Sequence, residues 1–188
     1  MERAFALANH WHMNLMRKNT KIPYISHLMA VSALVLENAG SLDQASAGLL
    51  HDILEDTKCS EELLRATVGD TVTEIVKACT HEPSEDKTLE GWKKRKQHYL
   101  DHLLAAARLT DANLVALCDK VHNIECTVRD WHAHNHDPSK MFVGFNAVWD
   151  LQLWWYNSLA DAFDKLDVPA DLRNRFRTAV TTVFGGTQ

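Results

Sequence analysis

Apolar residues and ionisable side chains alternate within the stretch Leu49-Leu50-His51-Asp52-Ile53-Leu54-Glu55-Asp56. Its leucine and isoleucine residues are typical of a buried helix, and the same stretch carries one imidazole and three carboxylates. Mutual repulsion and desolvation make such a cluster costly unless a cation or bound protons neutralise it. Imidazole and carboxylate ligands together suit a borderline divalent metal such as Mn, Fe, Co or Zn. The stretch therefore predicts a transition-metal site on a core helix.

Two further fragments place ionisable side chains in apolar helices: Pro23-Tyr24-Ile25-Ser26-His27 and Cys118-Asp119-Lys120-Val121-His122-Asn123. His27 shares a helical face with apolar residues three, four and seven positions later, so its imidazole is expected to point into the core. Taken alone, His27 or His51 is more simply a hydrogen-bonded core histidine than a ligand. The carboxylate cluster beside His51 favours the ligand interpretation, because a bound metal cation is the simplest way to neutralise it.

The remaining sequence also indicates helices. Only 7 glycines and 4 prolines interrupt 188 residues, and apolar residues recur with a period near 3.6 between them. Ser41-Leu42-Asp43-Gln44 has the pattern of a capping box, which marks a helix start. We predict an all-α single domain over residues 1–188, with a loop at 81–87. Its predicted helices cover 2–16, 23–40, 41–56, 60–67, 70–80, 88–107, 111–129, 139–164 and 170–183.

Composition and charge exclude several classes of protein. Hydrophobic residues make up 46% and charged residues 24% of the chain, as in folded globular proteins rather than disordered ones. The net charge is -5, and no basic run is longer than Lys93–Lys96, which argues against duplex nucleic acid as a partner. No apolar run reaches the roughly 18 residues of a membrane span. Four cysteines without a CxxC pair suit a reducing compartment, so we predict a cytoplasmic protein without membrane association.

The spaced set His27, His51-Asp52 and Asp119 resembles the HD-domain superfamily of metal-dependent phosphohydrolases. Four fragments resemble, more narrowly, the hydrolase domain of the RelA/SpoT family and the single-domain small alarmone hydrolases. These fragments are Arg17-Lys18, Pro23–His27, Leu50–Thr57 and Asp119–Asn123. The likeness spans about residues 4–125 and implies an HD-domain helical bundle, which the helices predicted over 139–184 would complete.

The resemblance also implies roles for individual residues. One divalent ion, expected to be Mn, would be bound by His27, His51, Asp52 and Asp119. Glu55 and Asp56 would position and activate the attacking water. Asn123 would bind the nucleoside, and Arg17 with Lys18 would face the guanine and the phosphates.

Simpler interpretations stay open for the substrate-binding residues. Arg17 and Lys18 could complement the dipole of a helix end, and Asn123 could be a solvated residue. Tyr24 could stack on a base, although an aromatic beside a helix-opening proline is more often packing. We interpret His132–His136 as a polar surface loop rather than a second metal site, because no cysteine or second paired motif accompanies it.

The implied function is that of a stringent-response hydrolase acting on the alarmone ppGpp, a small-molecule nucleotide. The enzyme would remove pyrophosphate from the 3′ position of guanosine tetra- or pentaphosphate and leave GDP or GTP. Two alternatives remain: a hydrolase of another nucleotide, such as an adenine alarmone, NADPH or a deoxynucleotide, or a non-catalytic nucleotide-binding or toxin-neutralising module. The intact ligands and the Glu55-Asp56 pair argue against the non-catalytic module.

One departure from the family pattern bears on the substrate. Relatives usually place a basic residue within the stretch 142–156, where this chain has Gly144 and Trp149 instead. Phosphate contacts from that stretch are therefore expected to be missing, unless the run Lys93–Lys96, which is more simply a solvated helix face, supplies them. The tryptophans at 149–155 are either core or a self-association face, so a homo-oligomer is also open.

Overall fold

The computed structural model describes residues 1–80, 86, 88–105, 110–143, 145 and 148–185. Within these ranges the regular elements are helices, and the extended pairing is limited to a bridge between Met16 and Pro23. The prediction of an all-α fold is confirmed. The helices are α1 Glu2–His12, α2 Ile25–Glu37, α3 Leu42–Leu50, α4 Ile53–Asp56, α5 Glu61–Val68, α6 Asp70–Cys79, α7 Leu89–Ala105, α8 Thr110–Ala133, α9 Trp149–Phe163 and α10 Ala170–Phe184, with a 3-10 turn at Pro138–Lys140.

Contacts within the chain define two compact units. The first contains α1 to α6 and the part of α8 up to Asp119. The second contains α7, the part of α8 from Lys120 onward, α9 and α10. The single domain over 1–188 stays a prediction. None of the described helices combines the length and apolar character of a membrane-spanning segment.

The first unit is built on the close approach of α2 and α3. Gly48 faces Ser32, and a Cβ at Gly48 would lie 3.2 Å from the Ser32 Cα atom. Ser32 donates a hydrogen bond from its hydroxyl to the Ala45 carbonyl at 2.8 Å. Because the two backbones come this near, residues near the start of α2 and at the end of α3 reach a common point. Apolar side chains bury the contact, among them Leu28, Val31, Val35, Leu49 and Leu50.

The predicted capping box ties α3 to α8. The Ser41 hydroxyl accepts a hydrogen bond from the Gln44 N–H, and the Gln44 side chain accepts one from the Ser41 N–H. Gln44 also donates from its amide to the Asp111 carbonyl at 3.1 Å. This contact fixes the first turn of α8, two turns before Asp119, against the start of α3.

Three predicted helix boundaries were wrong. Helix α1 ends at His12 rather than at residue 16, because the chain turns and the Tyr24 N–H donates back to the Leu15 carbonyl. The predicted helix over 41–56 is broken at His51-Asp52, and Asp52 adopts φ −98° and ψ 0°. The predicted helix over 139–164 is interrupted after the 3-10 turn, where Phe142 has φ +56°. The loop at 81–87, apart from Asp86, and Gly144 lie outside the described residues.

The second unit has an aromatic core. Trp149 packs against the rings of Trp131 and Phe184 at centroid distances of 5.3 and 4.9 Å. Trp155 is buried and contacts Tyr99 of α7. These contacts agree with the interpretation of the tryptophans as core, and a homo-oligomer stays a prediction.

Gly48→Val tests the α2–α3 approach. The added side chain would press on the Ser32 backbone, so the free energy of unfolding is expected to fall by about 1–3 kcal/mol. Urea unfolding followed by circular dichroism measures this change. Ala66→Val on the exposed side of α5 is the control, with an expected loss below about 1 kcal/mol. An unchanged stability of Gly48→Val would show that this contact does not constrain the fold.

Candidate metal centre

Three buried side chains bring potential ligand atoms together in the first unit. His27 comes from α2, His51 follows α3 and Asp119 lies on α8, and their ligand atoms all lie within 4.8 Å of one another. The His27 Nε2 atom is 3.3 Å from His51 Nε2 and 3.2 Å from Asp119 Oδ1. Donor atoms that share a metal at about 2.0–2.2 Å from the ion lie roughly 3–3.5 Å apart. The spacing and the donor types both fit a transition metal.

Asp52 adds a fourth potential ligand atom beside this trio. Its Oδ2 atom lies 2.9 Å from His51 Nε2 and 3.6 Å from His27 Nε2. Consecutive side chains of an uninterrupted helix point about 100° apart. The break at His51-Asp52 lets the two neighbours converge instead, so all four predicted ligands are brought together.

The backbone fixes the orientation of His51. Its Nδ1–H donates to the Gly48 carbonyl at 2.9 Å, because a carbonyl oxygen can only accept. When the ring is neutral, its Nε2 lone pair therefore faces the other ligand atoms. A ring held in this way presents one defined nitrogen to a cation.

Mutual charge effects in the cluster are strong. Burial lowers the pKa of His51, but the carboxylates of Asp52 and Asp119 outweigh burial and hold that pKa well above its usual value. Burial raises the pKa of Asp52, but the neighbouring imidazoles of His51 and His27 outweigh it and hold that pKa well below its usual value. Protons on imidazole thus neutralise the carboxylates, in the place where a divalent cation could do so.

Tyr24 contacts the cluster in a way that the sequence did not predict. Its hydroxyl donates to Asp52 Oδ2 at 2.7 Å, and its ring meets the His27 ring edge to face. Burial and the nearby carboxylates raise the pKa of this phenol, so it stays a donor. The prediction left Tyr24 as packing or a base-stacking residue, since no local pattern links residues 24 and 52.

Glu55 and Asp56 lie on α4, directly after Asp52, with their side chains exposed to solvent. Desolvation, with further contributions from the charges of Asp52 and Glu55, raises the pKa of Asp56 to about 6. A carboxylate with such a pKa can accept a proton near neutral pH. The position and the basicity of Asp56 suit proton transfer beside the cluster.

Arg17 and Lys18 lie in the turn between α1 and α2. The Arg17 guanidinium carbon is 5.6 Å from the centre of the Tyr24 ring, and the Arg17 N–H donates to the Ile22 carbonyl. Lys18 is exposed in the same turn. Because α1 ends at His12, neither residue can complement its dipole, which acts only over the last turn.

The other residues singled out lie in the second unit. Asn123 is half-buried on α8, and its carbonyl accepts a hydrogen bond from the Thr127 hydroxyl. The ammonium groups of Lys93 and Lys96 lie over the rings of Trp154 and Trp155. His132 and His136 pair through ring nitrogens 2.8 Å apart on the surface. The binding role of Asn123 stays a prediction. The predicted surface loop at 132–136 begins within a helix, because α8 ends at Ala133.

The HD-domain family profile matches residues 4–141, a range that contains all four predicted ligands. A GTP pyrophosphokinase of Streptomyces coelicolor is 34% identical over 124 residues. Those residues are 66% of this chain but only 14% of that protein. The chain therefore spans a small part of the length of this relative.

Shorter relatives are matched along more of their length. A guanosine-3′,5′-bis(diphosphate) 3′-pyrophosphohydrolase, MESH1, of Xenopus tropicalis is 34% identical over 127 residues, which cover 64% of this chain and 67% of that protein. A solved structure described as a metazoan orthologue of SpoT that hydrolyses ppGpp superposes with a TM-score of 0.73. The superposition covers 95% of this chain and 92% of the solved chain. Because the two sequences are only 22% identical, this likeness shows the fold alone.

Removing one ligand tests the metal centre. The purified protein is expected to hold about one transition-metal ion per chain, and His51→Ala or Asp119→Ala to lose it, because an incomplete ligand set binds weakly. Elemental analysis after gel filtration measures the content. His102→Ala on the exposed side of α7 is the control and should retain the metal. Equal metal content in all variants would show that these residues are not ligands.

Proposed function

The chain belongs to the HD-domain family, and from that membership we propose that it is a metal-dependent hydrolase of guanosine tetra- and pentaphosphate. The reaction removes pyrophosphate from the 3′ position and leaves GDP or GTP. One observation carries the proposal: the ligand atoms of His27, His51 and Asp119 lie within 4.8 Å of one another, with Asp52 beside them. Further support comes from the MESH1 relatives, whose name states this activity and about two thirds of whose length the chain covers.

The proposed cofactor is one Mn ion. The residues that would hold it are His27, His51, Asp52 and Asp119. When bound, such an ion supplies positive charge to the reacting phosphate and lowers the pKa of the attacking water. The two imidazoles and two carboxylates suit Mn, Fe, Co or Zn alike, so the identity of the ion rests on the family resemblance.

Glu55 and Asp56 act on the water in the proposed reaction. They orient it toward the phosphorus that is bonded to the 3′ oxygen, and Asp56, with its pKa near 6, accepts the proton. As the new bond between phosphorus and the water oxygen forms, the bond between phosphorus and the 3′ oxygen breaks. The 3′ oxygen takes up a proton from solvent and becomes the ribose hydroxyl, while pyrophosphate departs.

Arg17, Lys18 and Asn123 bind the substrate in this proposal. The Arg17 guanidinium lies against Tyr24, next to the predicted ligand Asp52, and can approach a substrate held there. Lys18 adds a second positive charge on the same turn. Asn123 follows Asp119 by one turn of α8 and contacts the nucleoside.

The proposal also includes the cellular compartment and the domain organisation of the chain. We keep the cytoplasm as the predicted compartment, because none of the four cysteines, all of them in the described ranges, forms a disulfide. We also keep a single HD-type domain over 1–188 that acts on a small nucleotide and binds neither duplex nucleic acid nor membrane.

Another nucleotide is the second candidate substrate. The stretch 142–156 contains neither lysine nor arginine, so a charge that relatives usually direct toward the pocket is absent there. Fewer phosphate contacts would shift the preference toward a nucleotide with a different phosphate arrangement. NADPH, adenosine 3′-pyrophosphates and deoxynucleotides are the substrates to compare.

Replacing both water-activating carboxylates separates catalysis from metal binding. Glu55→Gln with Asp56→Asn keeps the shape of the side chains but removes their basicity, so turnover is expected to fall by about 100-fold or more. Metal content should be unchanged, which elemental analysis checks on the same samples. Glu61→Gln with Glu62→Gln on α5 is the matched control. Wild-type turnover in a metal-replete double variant would remove Glu55 and Asp56 from the mechanism.

The products identify the reaction. Guanosine tetraphosphate is expected to give GDP and pyrophosphate in one step, because water attacks the phosphorus attached to the 3′ oxygen. Anion-exchange chromatography with a separate orthophosphate assay distinguishes this from a simple phosphatase, which would release orthophosphate. A kcat/KM at least about tenfold higher for NADPH or an adenosine 3′-pyrophosphate would show that the primary substrate is wrong while the hydrolase chemistry stands.

A further inference from the structure

We propose that Tyr24 and His12 are positioning residues for Asp52, with Tyr24 holding the carboxylate and His12 holding the Tyr24 ring. This inference rests on the proposed metal centre and adds to it two residues that are not ligands. Neither residue would touch the ion or the substrate in this arrangement. Their proposed effect on the centre is to orient one carboxylate oxygen through the Tyr24 hydroxyl, while the Tyr24 ring also contacts His27.

The Tyr24 hydroxyl contacts the Asp52 oxygen that faces the other predicted ligands. The hydroxyl donates at 2.7 Å to Asp52 Oδ2, the same atom that lies 2.9 Å from His51 Nε2. Asp52 sits at the break between α3 and α4, and its side chain is partly exposed, so packing alone constrains it less than it constrains Asp119. A hydrogen bond from a phenol to the ligating oxygen fixes the carboxylate plane, as partners of metal ligands commonly do.

His12 fixes the ring that carries this hydroxyl. The His12 and Tyr24 rings stack with their planes 10° apart and their centres 5.5 Å apart. The His12 Nδ1–H donates to the Ala8 carbonyl at 2.9 Å, which ties the imidazole to α1. The stack therefore connects a whole helix to the tyrosine ring, and through its hydroxyl to Asp52.

A packing role alone does not account for a histidine at this position. His12 is only 1% exposed, and its Nε2 atom has no hydrogen-bond partner in the described part of the chain. An apolar ring would fill the same space without burying that nitrogen, so the imidazole is the costlier choice. Unlike a phenyl ring, the imidazole donates a hydrogen bond from Nδ1 to the Ala8 carbonyl. This hydrogen bond sets the plane of the His12 ring, against which Tyr24 packs.

The turn that carries Tyr24 offers its side chain little packing. Tyr24 ends the turn that follows α1, and its N–H donates to the Leu15 carbonyl at 2.8 Å. The turn contains exposed apolar side chains, Met13, Met16 and Ile22, which contribute little packing. The stack with His12 and the edge-to-face contact with His27 are the aromatic contacts of the tyrosine ring within the first unit, and the Arg17 guanidinium also lies over that ring.

Metal affinity measured on four proteins tests the proposal: wild type, Tyr24→Phe, His12→Ala and the double variant. Metal-free protein is titrated with Mn²⁺, and the electron paramagnetic resonance signal of free Mn²⁺ gives the dissociation constant. Tyr24→Phe should raise that constant by about 10–100-fold, since it keeps the ring and removes the hydrogen bond. Tyr156→Phe, a buried tyrosine of the second unit, is the matched control and should bind like wild type.

The double variant distinguishes positioning from packing. If His12 acts through the Tyr24 hydroxyl, His12→Ala weakens Mn²⁺ binding in the wild-type background but by less than about twofold in the Tyr24→Phe background. Equal losses in both backgrounds would overturn the role of His12, and a Tyr24→Phe affinity within about twofold of wild type would overturn the proposal. If His12→Ala does not fold, as circular dichroism would show, His12→Phe keeps a ring and loses the bond to Ala8, and the same cycle applies.

The wild-type titration separates this proposal from the metal centre beneath it. Absence of Mn²⁺ binding by wild-type protein would overturn both. Tight binding by wild type together with equal binding by Tyr24→Phe would overturn the positioning role and leave the metal centre intact.

Discussion

The structure of the first unit depends on gathering two carboxylates and two imidazoles into one buried space. Like charges repel, and each ionised group loses its hydration, so such a cluster forms only where the surrounding packing enforces it and a positive charge compensates it. The near approach of α2 and α3 at Gly48 and the cap that ties α3 to α8 supply that enforcement. Protons or a divalent ion supply the compensation. The packing of the surrounding helices therefore stabilises an arrangement of charges that would otherwise be unfavourable.

Much of this arrangement follows from the sequence, because the determining patterns are local. The charge cluster within 51–56 lies in an apolar helix, and the capping pattern at 41–44 marks a helix start, which the structure confirms at Leu42. No sequence pattern marks the helix break at His51-Asp52, because apolar residues continue at helical spacing on both sides of it. The link from Tyr24 to Asp52 is also absent from any local pattern, since it joins residues 28 positions apart. Contacts of this kind depend on how helices meet, which periodicity does not specify.

The two units differ in the charged side chains that their helices carry. The first unit holds the concentrated negative charge and the proposed proton acceptor. The second unit presents lysines whose ammonium groups lie over tryptophan rings, as Lys93 and Lys96 do. A cation over an aromatic ring is attracted by the quadrupole of the ring, so these contacts hold the ammonium groups of α7 against α9.

The early end of α3 also shapes the electric field at the cluster. Peptide dipoles add along a helix and leave a partial negative charge of about half an electron at its carboxyl end, an effect that is felt within the last turn. Helix α3 ends at Leu50, so this negative end lies next to His51 and the ligands around it. A single helix that ran on to Asp56 would have carried its negative end more than one turn away. The amino end of the short α4 meets the same break at Asp52, so the interruption places a negative helix end beside an imidazole and a positive one beside a carboxylate.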